Sequence, residues 1–379
     1  MPYITVRQSA RHHQITLDDI LNGEVRSNEP VSDAHLTGTV THFTKHVPER
    51  FNRRINVFSL ITELEKFNEL HEELHKADRE SLYHTFYIPK HSGGFRRIDQ
   101  PNPELMEALR QLRSILETKM NALYHTSAFA YVSGRCAVDA VRRHQRNQSR
   151  WFLKIDFSNF FGSTTPEFLT SMLKMIYPFS AIFNWPMGAR QLTKALDLCF
   201  LNGGLPQGTP ISPMLTNLMM IPIDHRLCND LVKQGFVYTR YADDILISGK
   251  YSFMFTDMCK YIRGVLEEFK APFTIKPEKT RYGSSSGENW NLGVMLNKDN
   301  QITVGWKNKA RLRSACYAYV NDKRNGKNWD LHDVHVLSGQ ISYYHMVEPE
   351  YIDGMIGHFN EQHSVNLMRM IKDDLRGRG

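Results

Sequence analysis

Two adjacent acidic residues interrupt a largely apolar stretch of the chain. Asp243 and Asp244 lie between residues 236–240 and 245–248, two runs that are rich in β-branched and aromatic side chains. Such runs favour strands, and their spacing predicts a β-hairpin with both carboxylates at its tip. The repulsion between neighbouring carboxylates is relieved in a solvated turn or by divalent cations, which bind carboxylate oxygens. The hairpin alone leaves both possibilities open.

A third acidic residue follows another apolar run and favours the metal site. Residues 151–157 predict a buried strand with Asp156 near its end. Three such carboxylates can hold two metal ions about 4 Å apart, which activate a hydroxyl nucleophile and stabilise the leaving group of a phosphoryl transfer. The sequence therefore predicts a site in which two Mg²⁺ ions, or Mn²⁺ as a substitute, promote attack of a 3′-hydroxyl with release of pyrophosphate.

A loop rich in glycine and proline lies between this strand and the hairpin. Residues 203–213 contain three glycines and three prolines, and a helix is predicted to follow over residues 214–231. An ordinary entry into a helix explains the loop, but it does not explain the long amide of Gln207 between Pro206 and Gly208. Gln207 and Gly208 are therefore candidate contacts to an incoming nucleotide or a template base.

The order of these motifs resembles that of reverse transcriptases, in particular the bacterial retron and group II intron-like branch. The resemblance covers residues 80–350 of the chain. The matching segments are residues 87–98, 155–157, 205–213, 241–244, 276–280 and 291–294. It implies an α+β right-hand polymerase fold, with fingers, a palm made of an antiparallel sheet backed by helices, and an α-helical thumb. It also implies an RNA-templated DNA polymerase that joins dNTPs to a 3′-hydroxyl.

The branch within this family stays open. Retron enzymes usually carry Val-Thr-Gly after the palm, which this sequence lacks there. Enzymes of diversity-generating elements usually replace the residue at Gln207 and end the loop differently, and intron maturases carry a longer C-terminal extension. A compact retron-type enzyme and a defence-associated, abortive-infection-type enzyme remain, and we favour the second.

The resemblance also implies roles for individual residues. Asp156, Asp243 and Asp244 would hold the two metal ions, with the backbone carbonyl of Phe157 as a further oxygen ligand. Lys279 would protonate the pyrophosphate leaving group, although a surface lysine on a strand is the simpler alternative for it. Phe157 and Tyr241 are counted among the expected substrate contacts as well.

A second predicted hairpin, over residues 87–99, would hold the triphosphate. Arg96, with Lys90 or Arg97, would clamp it, because guanidinium groups match the geometry of phosphate oxygens. Neighbouring residues on a strand point to opposite faces, so only one of these two arginines can face the site.

Phe161 is the expected determinant of sugar choice. It follows Asp156 by five residues, where reverse transcriptases carry a bulky aromatic side chain that clashes with a ribose 2′-hydroxyl. We therefore expect dNTP to be the substrate. One of the adjacent rings of Phe160 and Phe161 must point into the core instead.

The predicted domain organisation follows the same resemblance, and the pattern of helical and turn residues supports it. An amphipathic helix is predicted over residues 59–77, and a helix begins after Asn102. The tail is helical with breaks near residues 325–326 and 348–349. The predicted domains are an N-terminal extension (1–80), fingers (81–150), a palm (151–305) with a fingers-derived insertion at about 185–215, and a thumb (306–379).

Charge and composition indicate the partners and the compartment. The net charge is +7, and clustered basic residues suit the phosphates of an RNA template and nascent DNA. A structured non-coding RNA is the expected template partner, and a homo-oligomer or an accessory protein stays open. No apolar run approaches the ~20 residues of a membrane span. The five cysteines show no paired spacing, so a cytoplasmic enzyme without a membrane partner is expected.

Three other functions stay open. The first is a template-independent DNA polymerase of abortive-infection type, which the palm motifs do not exclude. The second is an RNA-dependent RNA polymerase on the same fold, against which Phe161 argues. The third is a non-catalytic RNA-binding scaffold, although scaffolds of this kind tend to lose the metal-binding acids. A role in phage defence rests on the family resemblance alone.

Overall fold

A computed structural model of the chain describes residues 56–90, 93–120, 124–285 and 294–377. Most of the predicted N-terminal extension, the turn of the second hairpin at residues 91–92, and residues 291–293 of the last matching segment lie outside the described residues. The backbone divides into two units. The first consists of the described residues up to Cys136 and of Leu153–Tyr282, and the second consists of Ala137–Phe152 and the described residues from Gly283 onward.

Helices and strands are named here in chain order over the described residues. They are α1 Val57–Leu70, α2 Glu72–Lys76, β1 Tyr83–Pro89, β2 Phe95–Pro101, α3 Pro103–Met120, α4 Ala137–Arg146, β3 Trp151–Asp156, α5 Pro166–Leu173, α6 Phe179–Phe183, α7 Pro186–Asp197, α8 Ser212–Met219, α9 Ile221–Lys233, β4 Val237–Tyr241, β5 Asp244–Gly249, α10 Phe255–Glu268, β6 Arg281–Ser284, β7 Met295–Leu296, β8 Ile302–Thr303, α11 Trp306–Arg324, α12 Leu331–Val347, α13 Pro349–His363 and α14 Leu367–Arg376. None of these helices is long and apolar enough to cross a membrane.

A four-stranded sheet in the order β4-β5-β3-β6 contains the strands predicted around the acidic residues. β4 and β5 are antiparallel, with Tyr241 opposite Asp244, so the predicted hairpin is confirmed. β3 and β5 are neighbours at the centre of the sheet. Asp156 is the last residue of β3 and Asp244 is the first residue of β5, so this topology brings the two segments together.

The second predicted hairpin is also confirmed. β1 and β2 pair antiparallel, from Tyr83 opposite Pro101 to Pro89 opposite Phe95. α3 then begins after Asn102, whose side chain accepts a hydrogen bond from the Leu105 N–H at 2.8 Å. This is the expected N-cap geometry, with a proline in the first turn, where its missing N–H costs no hydrogen bond.

Two of the predicted helices are each divided in the structure. The stretch over residues 59–77 forms α1 and α2, and between them the His71 ring hydrogen-bonds Gln111 at 2.8 Å. The single helix predicted over residues 214–231 is wrong, because α8 ends at Met219 and α9 begins at Ile221. Pro222 explains this break, since proline lacks an N–H and its ring clashes with the carbonyl four residues earlier.

The second unit contains a small hairpin and a helical core. β7 and β8 pair antiparallel, with Met295 opposite Thr303. α11 ends before Gly326, which has a φ of 73°, and Pro349 occupies the first turn of α13, so both predicted helix breaks are confirmed. The core residues of these helices include Leu312, Cys316, Tyr319, Val334, Leu337, Ile341, Ile352 and Leu367.

Candidate active site

The three predicted carboxylates lie at one edge of the four-stranded sheet. The Phe157 N–H donates a hydrogen bond to the Asp243 carbonyl at 3.3 Å, which joins the end of β3 to the hairpin tip. Burial raises the pKa of Asp243, and the charges of Asp244 and Asp156 raise it further. A carboxyl group responds in this way when other carboxylates are close. The structure therefore brings the three acids into one electrostatic cluster.

The hairpin tip has an unusual backbone. Ala242 and Asp243 form a two-residue turn between the paired Tyr241 and Asp244, and Ala242 has a φ of 58°. For a residue other than glycine this left-handed conformation costs roughly 1–2 kcal/mol. Strain of this size persists where surrounding contacts hold the backbone, and it is frequent at functional sites.

Three lysines act as counter-ions of two of the three acids, Asp156 and Asp244. Lys276 and Lys279 contact the two oxygens of Asp156, at 2.7 Å and 3.0 Å. Lys154 contacts Asp244 at 2.8 Å. Only Lys279 was predicted from the sequence. Lys154 had a local signal, since it lies two residues before Asp156 and alternate residues of a strand share a face.

Lys279 lies in a short 3₁₀ turn, Pro277–Lys279, and not on a strand as the simpler alternative expected. Its side chain is exposed at the surface, which agrees with the other half of that alternative. Its hydrogen bond to Asp156 raises the pKa of the ammonium group, and the charges of Asp156 and Asp243 act in the same direction. The side chain therefore holds its proton firmly beside the acidic cluster.

The fit of this cluster to metal ions depends on its lysines. Within the described ranges, no group of three or more His, Cys, Asp or Glu side chains is arranged to hold a metal ion. The carboxylates instead bind ammonium groups on side chains that are 22–48% exposed. Their chemistry fits a hard divalent cation, because every donor is an oxygen and the charges of Asp244 and Asp156 add to the effect of burial in raising the pKa of Asp243. Metal binding would require the lysines to move away.

Phe160 and Phe161 differ in burial, as the sequence requires of two adjacent rings of which one must point into the core. Phe160 is 2% exposed and packs against Phe157 and Phe273, with ring centroids 6.0 Å and 4.9 Å away. Phe161 is only partly buried. Its carbonyl accepts a hydrogen bond from the Leu205 N–H at 3.1 Å, so the glycine- and proline-rich loop is fixed to the segment that follows β3.

The same loop docks on the second hairpin. The Gln207 carbonyl accepts a hydrogen bond from the Asp99 N–H at 2.7 Å. Gly208 has a φ of 121°, and a Cβ atom there would lie 2.9 Å from the Asp99 carbonyl oxygen, so the position requires glycine. The backbone of the loop thus connects Phe161 to β2.

Arg96 and Arg97 lie on opposite faces of β2. Arg97 Nε contacts Asp99 at 2.8 Å, and Thr85 donates to the same carboxylate at 2.7 Å. The charge of Arg96 instead reaches Tyr131, whose pKa is raised by partial burial and then by the charge of Asp243. Arg96 therefore belongs to the face of the hairpin that is electrostatically connected to the acidic cluster. Lys90 is exposed at the end of this hairpin.

Residues 88–304 match the family described as reverse transcriptase (RNA-dependent DNA polymerase). The chain belongs to the reverse transcriptase family. The predicted family, the α+β right-hand polymerase fold class and the RNA-directed DNA polymerase activity are thereby confirmed.

Curated relatives of this reverse transcriptase include retron enzymes. It is 27% identical over 290 residues to the Retron Ec83 reverse transcriptase of Escherichia coli, across 74% of this chain and 87% of that one. It is 29% identical over 292 residues to the Retron Mx65 reverse transcriptase of Myxococcus xanthus, across 74% of this chain and 65% of that one. A telomerase structure from Candida albicans, in complex with a fragment of telomeric RNA, aligns with a TM-score of 0.44 and 11% identity. The alignment covers 77% of this chain and 63% of the telomerase chain.

The reverse transcriptase also contains site residues that the sequence did not reveal. Lys276 contacts Asp156 across a separation of 120 residues, and Tyr131 lies near the acidic cluster without any local motif. Arg240 and Asp224 form a fully buried ion pair next to the hairpin tip. The available signal was an arginine in the largely apolar run that precedes the hairpin tip, because an arginine that becomes buried there needs a partner.

Proposed function

We propose that this reverse transcriptase extends a 3′-hydroxyl with dNTPs at the cluster of Asp156, Asp243 and Asp244. The hydrogen bond from the Phe157 N–H to the Asp243 carbonyl carries the proposal, because it joins the end of β3 to the hairpin tip and so supports a site in which three carboxylates lie close together. A divalent cation would relieve the repulsion between them. The three side chains would hold two Mg²⁺ ions, or Mn²⁺, and the Phe157 carbonyl would contribute a further oxygen. The ions would activate the hydroxyl and stabilise the departing pyrophosphate.

The lysines around the cluster have two functions in this proposal. Lys154 and Lys276 neutralise Asp244 and Asp156. Lys279 Nζ also contacts Asp156, and its raised pKa keeps the ammonium protonated. Once released from Asp156, Lys279 can donate this proton to the leaving pyrophosphate, which is the action of a general acid.

The nucleotide would lie between the second hairpin and the segment after β3. Arg96 would bind the triphosphate together with Lys90, because Arg97 is held by Asp99. Phe161 would exclude the ribose 2′-hydroxyl. Gln207, Gly208 and Tyr241 would complete the substrate contacts.

The partner and the biological role extend the proposal further. Similarity to retron reverse transcriptases supports an RNA template within a dedicated structured non-coding RNA, with nascent DNA as the product. We place the enzyme among compact retron-type or defence-associated reverse transcriptases, with phage defence in the cytoplasm as its proposed role. The predicted domain boundaries and the possible homo-oligomer or accessory protein stay predictions.

Primer extension tests the proposed site. The parent protein should extend a DNA primer on an RNA template with four dNTPs, and Asp243→Asn should lower the rate by more than about 100-fold. Asp257→Asn, which alters an exposed acid of α10, is the matched control and should keep the parent rate. Full activity of Asp243→Asn would contradict the proposal. Extension with a single dNTP and no template would favour the template-independent alternative, and a preference for NTPs would favour the RNA polymerase.

A further inference from the structure

A fully buried ion pair lies next to the acidic hairpin tip. The side chains of Arg240 on β4 and Asp224 on α9 are both 0% exposed. Arg240 Nε donates to Asp224 Oδ1 at 2.9 Å and Nη2 donates to Oδ2 at 2.8 Å, a bidentate arrangement. Removing two charges from water is costly, so a buried ion pair adds little net stability over an apolar pair of similar volume. Its retention in the core calls for a second role.

The third nitrogen of the guanidinium group indicates that role. Arg240 Nη1 donates to the carbonyl of Ala242 at 3.0 Å and to Asn217 Oδ1 at 3.1 Å. Ala242 is the left-handed residue of the turn and directly precedes Asp243. The hydrogen bond therefore holds the peptide group that joins Ala242 to Asp243, at the point where the backbone is strained.

The guanidinium group is itself held from several sides. Asp224 Oδ1 also accepts a hydrogen bond from the Tyr238 hydroxyl at 2.7 Å. Asn217 Nδ2 donates to the Ala130 carbonyl at 2.8 Å. The Arg240 N–H donates to the Ser127 carbonyl at 2.7 Å, so side chain and backbone are fixed together. A rigid group of this kind can define the position of the turn that it contacts.

We propose that Arg240 is a positioning residue for the reaction. Through the Ala242 carbonyl it holds the turn so that Asp243 and Asp244 face Asp156, and Asp224 and Asn217 hold Arg240 in the orientation this requires. The inference rests on the proposed function of the three carboxylates. Arg240 contacts neither substrate nor metal in this scheme, and it acts through the geometry of the turn.

Arg240→Lys is the first test, because lysine keeps the charge beside Asp224 but lacks the fork that reaches Ala242. We expect a folded protein whose kcat is about 10- to 100-fold lower and whose KM for primer–template is within about twofold of the parent value. The Mg²⁺ concentration at half-maximal rate should rise about tenfold. The increase in unfolding temperature on addition of Mg²⁺, measured without substrate, should shrink in parallel.

Tyr238→Phe is the matched control. It removes the other hydrogen bond from β4 to Asp224 without affecting the contact to Ala242. It should lower the unfolding temperature. Because Asp224 keeps both of its bonds to Arg240, it should change kcat and the Mg²⁺ requirement far less than Arg240→Lys does. An equal loss of kcat in Tyr238→Phe and Arg240→Lys would overturn the positioning role in favour of general destabilisation.

A second variant covers the case in which Arg240→Lys does not fold. Arg240→Met combined with Asp224→Asn removes both charges and keeps an acceptor for the Tyr238 hydroxyl, so no charge is left buried without a partner. It should show the same loss of kcat and the same shift in Mg²⁺ requirement. A folded variant of either kind with parent-like kcat and Mg²⁺ dependence would overturn the inference, and so would failure of both to fold, because the pair would then be purely structural.

Asp243→Asn in the same assays separates the two levels of the proposal. If it is inactive while Arg240→Lys behaves like the parent, only the positioning role fails. If Asp243→Asn retains both the parent rate and the stabilisation by Mg²⁺, the proposed active site fails, whatever Arg240 does.

Discussion

Phe160 and Phe161 are adjacent in the chain but differ in exposure, and this difference separates a core residue from a candidate selector of the sugar. Phe160 stacks within a buried aromatic group, whereas Phe161 is partly exposed on the segment to which the loop is fixed. The sequence required that one of the two rings be buried but could not say which one. The packing of Phe273, a residue more than 100 positions away, decides it.

Phe161→Ala should admit ribonucleotides. Removing the ring removes the proposed clash with the 2′-hydroxyl, so the ratio of kcat/KM for dGTP to that for GTP should fall about 10- to 100-fold. Single-nucleotide extension on an RNA template measures this ratio. Phe160→Leu is the control, since it changes the buried neighbour and should lower stability without changing the ratio. Unaltered discrimination in a folded Phe161→Ala protein would show that another residue selects the sugar.

At the level of helices and strands, local sequence patterns predicted the hairpins and the helix caps, because alternation, turn residues and capping residues act over a few positions. They failed where one proline redirects the chain, as Pro222 does between α8 and α9. The acidic site was predictable from Asp156, Asp243 and Asp244 because the motif is short. Lys276 was not, since its contact with Asp156 closes across 120 residues and depends on the completed sheet.

Two histidines on different helices, the fully buried His144 and the partly buried His225, should make stability depend on pH. Burial lowers the pKa of His144 on α4 to about 3, and that of His225 on α9 to about 4. The unfolded chain binds these protons near pH 6.5, so between about pH 6.5 and 4 the unfolded state holds more protons than the folded state. Stability is therefore greatest above this window, and each histidine removes up to ~1.4 kcal/mol per pH unit as the pH falls through it.

Urea denaturation at pH 7, 6 and 5 measures this loss. His225→Gln should reduce the slope of unfolding free energy against pH by the contribution of one proton, which is up to ~1.4 kcal/mol per pH unit. A slope that is identical in the parent and His225→Gln proteins would show that His225 is not buried in its neutral form.

At the scale of the whole molecule, the effect of the net charge of +7 on RNA binding depends on where the exposed basic residues lie. The first half of α11 carries three exposed basic side chains, Lys307, Arg311 and Arg313, and the helix begins with Trp306, which is 73% exposed. Separated cations beside an exposed aromatic ring suit a nucleic-acid backbone with unpaired bases. α10 also exposes basic residues, but it mixes them with acidic ones. We therefore expect the same number of basic residues to contribute more to RNA binding on α11 than on α10.

Replacing the three exposed basic residues in the first half of α11 should weaken RNA binding and make the binding less dependent on salt concentration. Each phosphate contact contributes about 0.7 to the slope of log K against log salt for a single strand, so replacing Lys307, Arg311 and Arg313 with alanine should lower the slope by up to about 2. Filter binding of a single-stranded RNA at several salt concentrations measures it. Replacement of Lys260, Arg263 and Lys270, which are exposed on and just after α10, removes the same charge and should change the slope far less. Equal slopes in the two triple variants would mean that net charge alone governs binding and that α11 is not a dedicated contact.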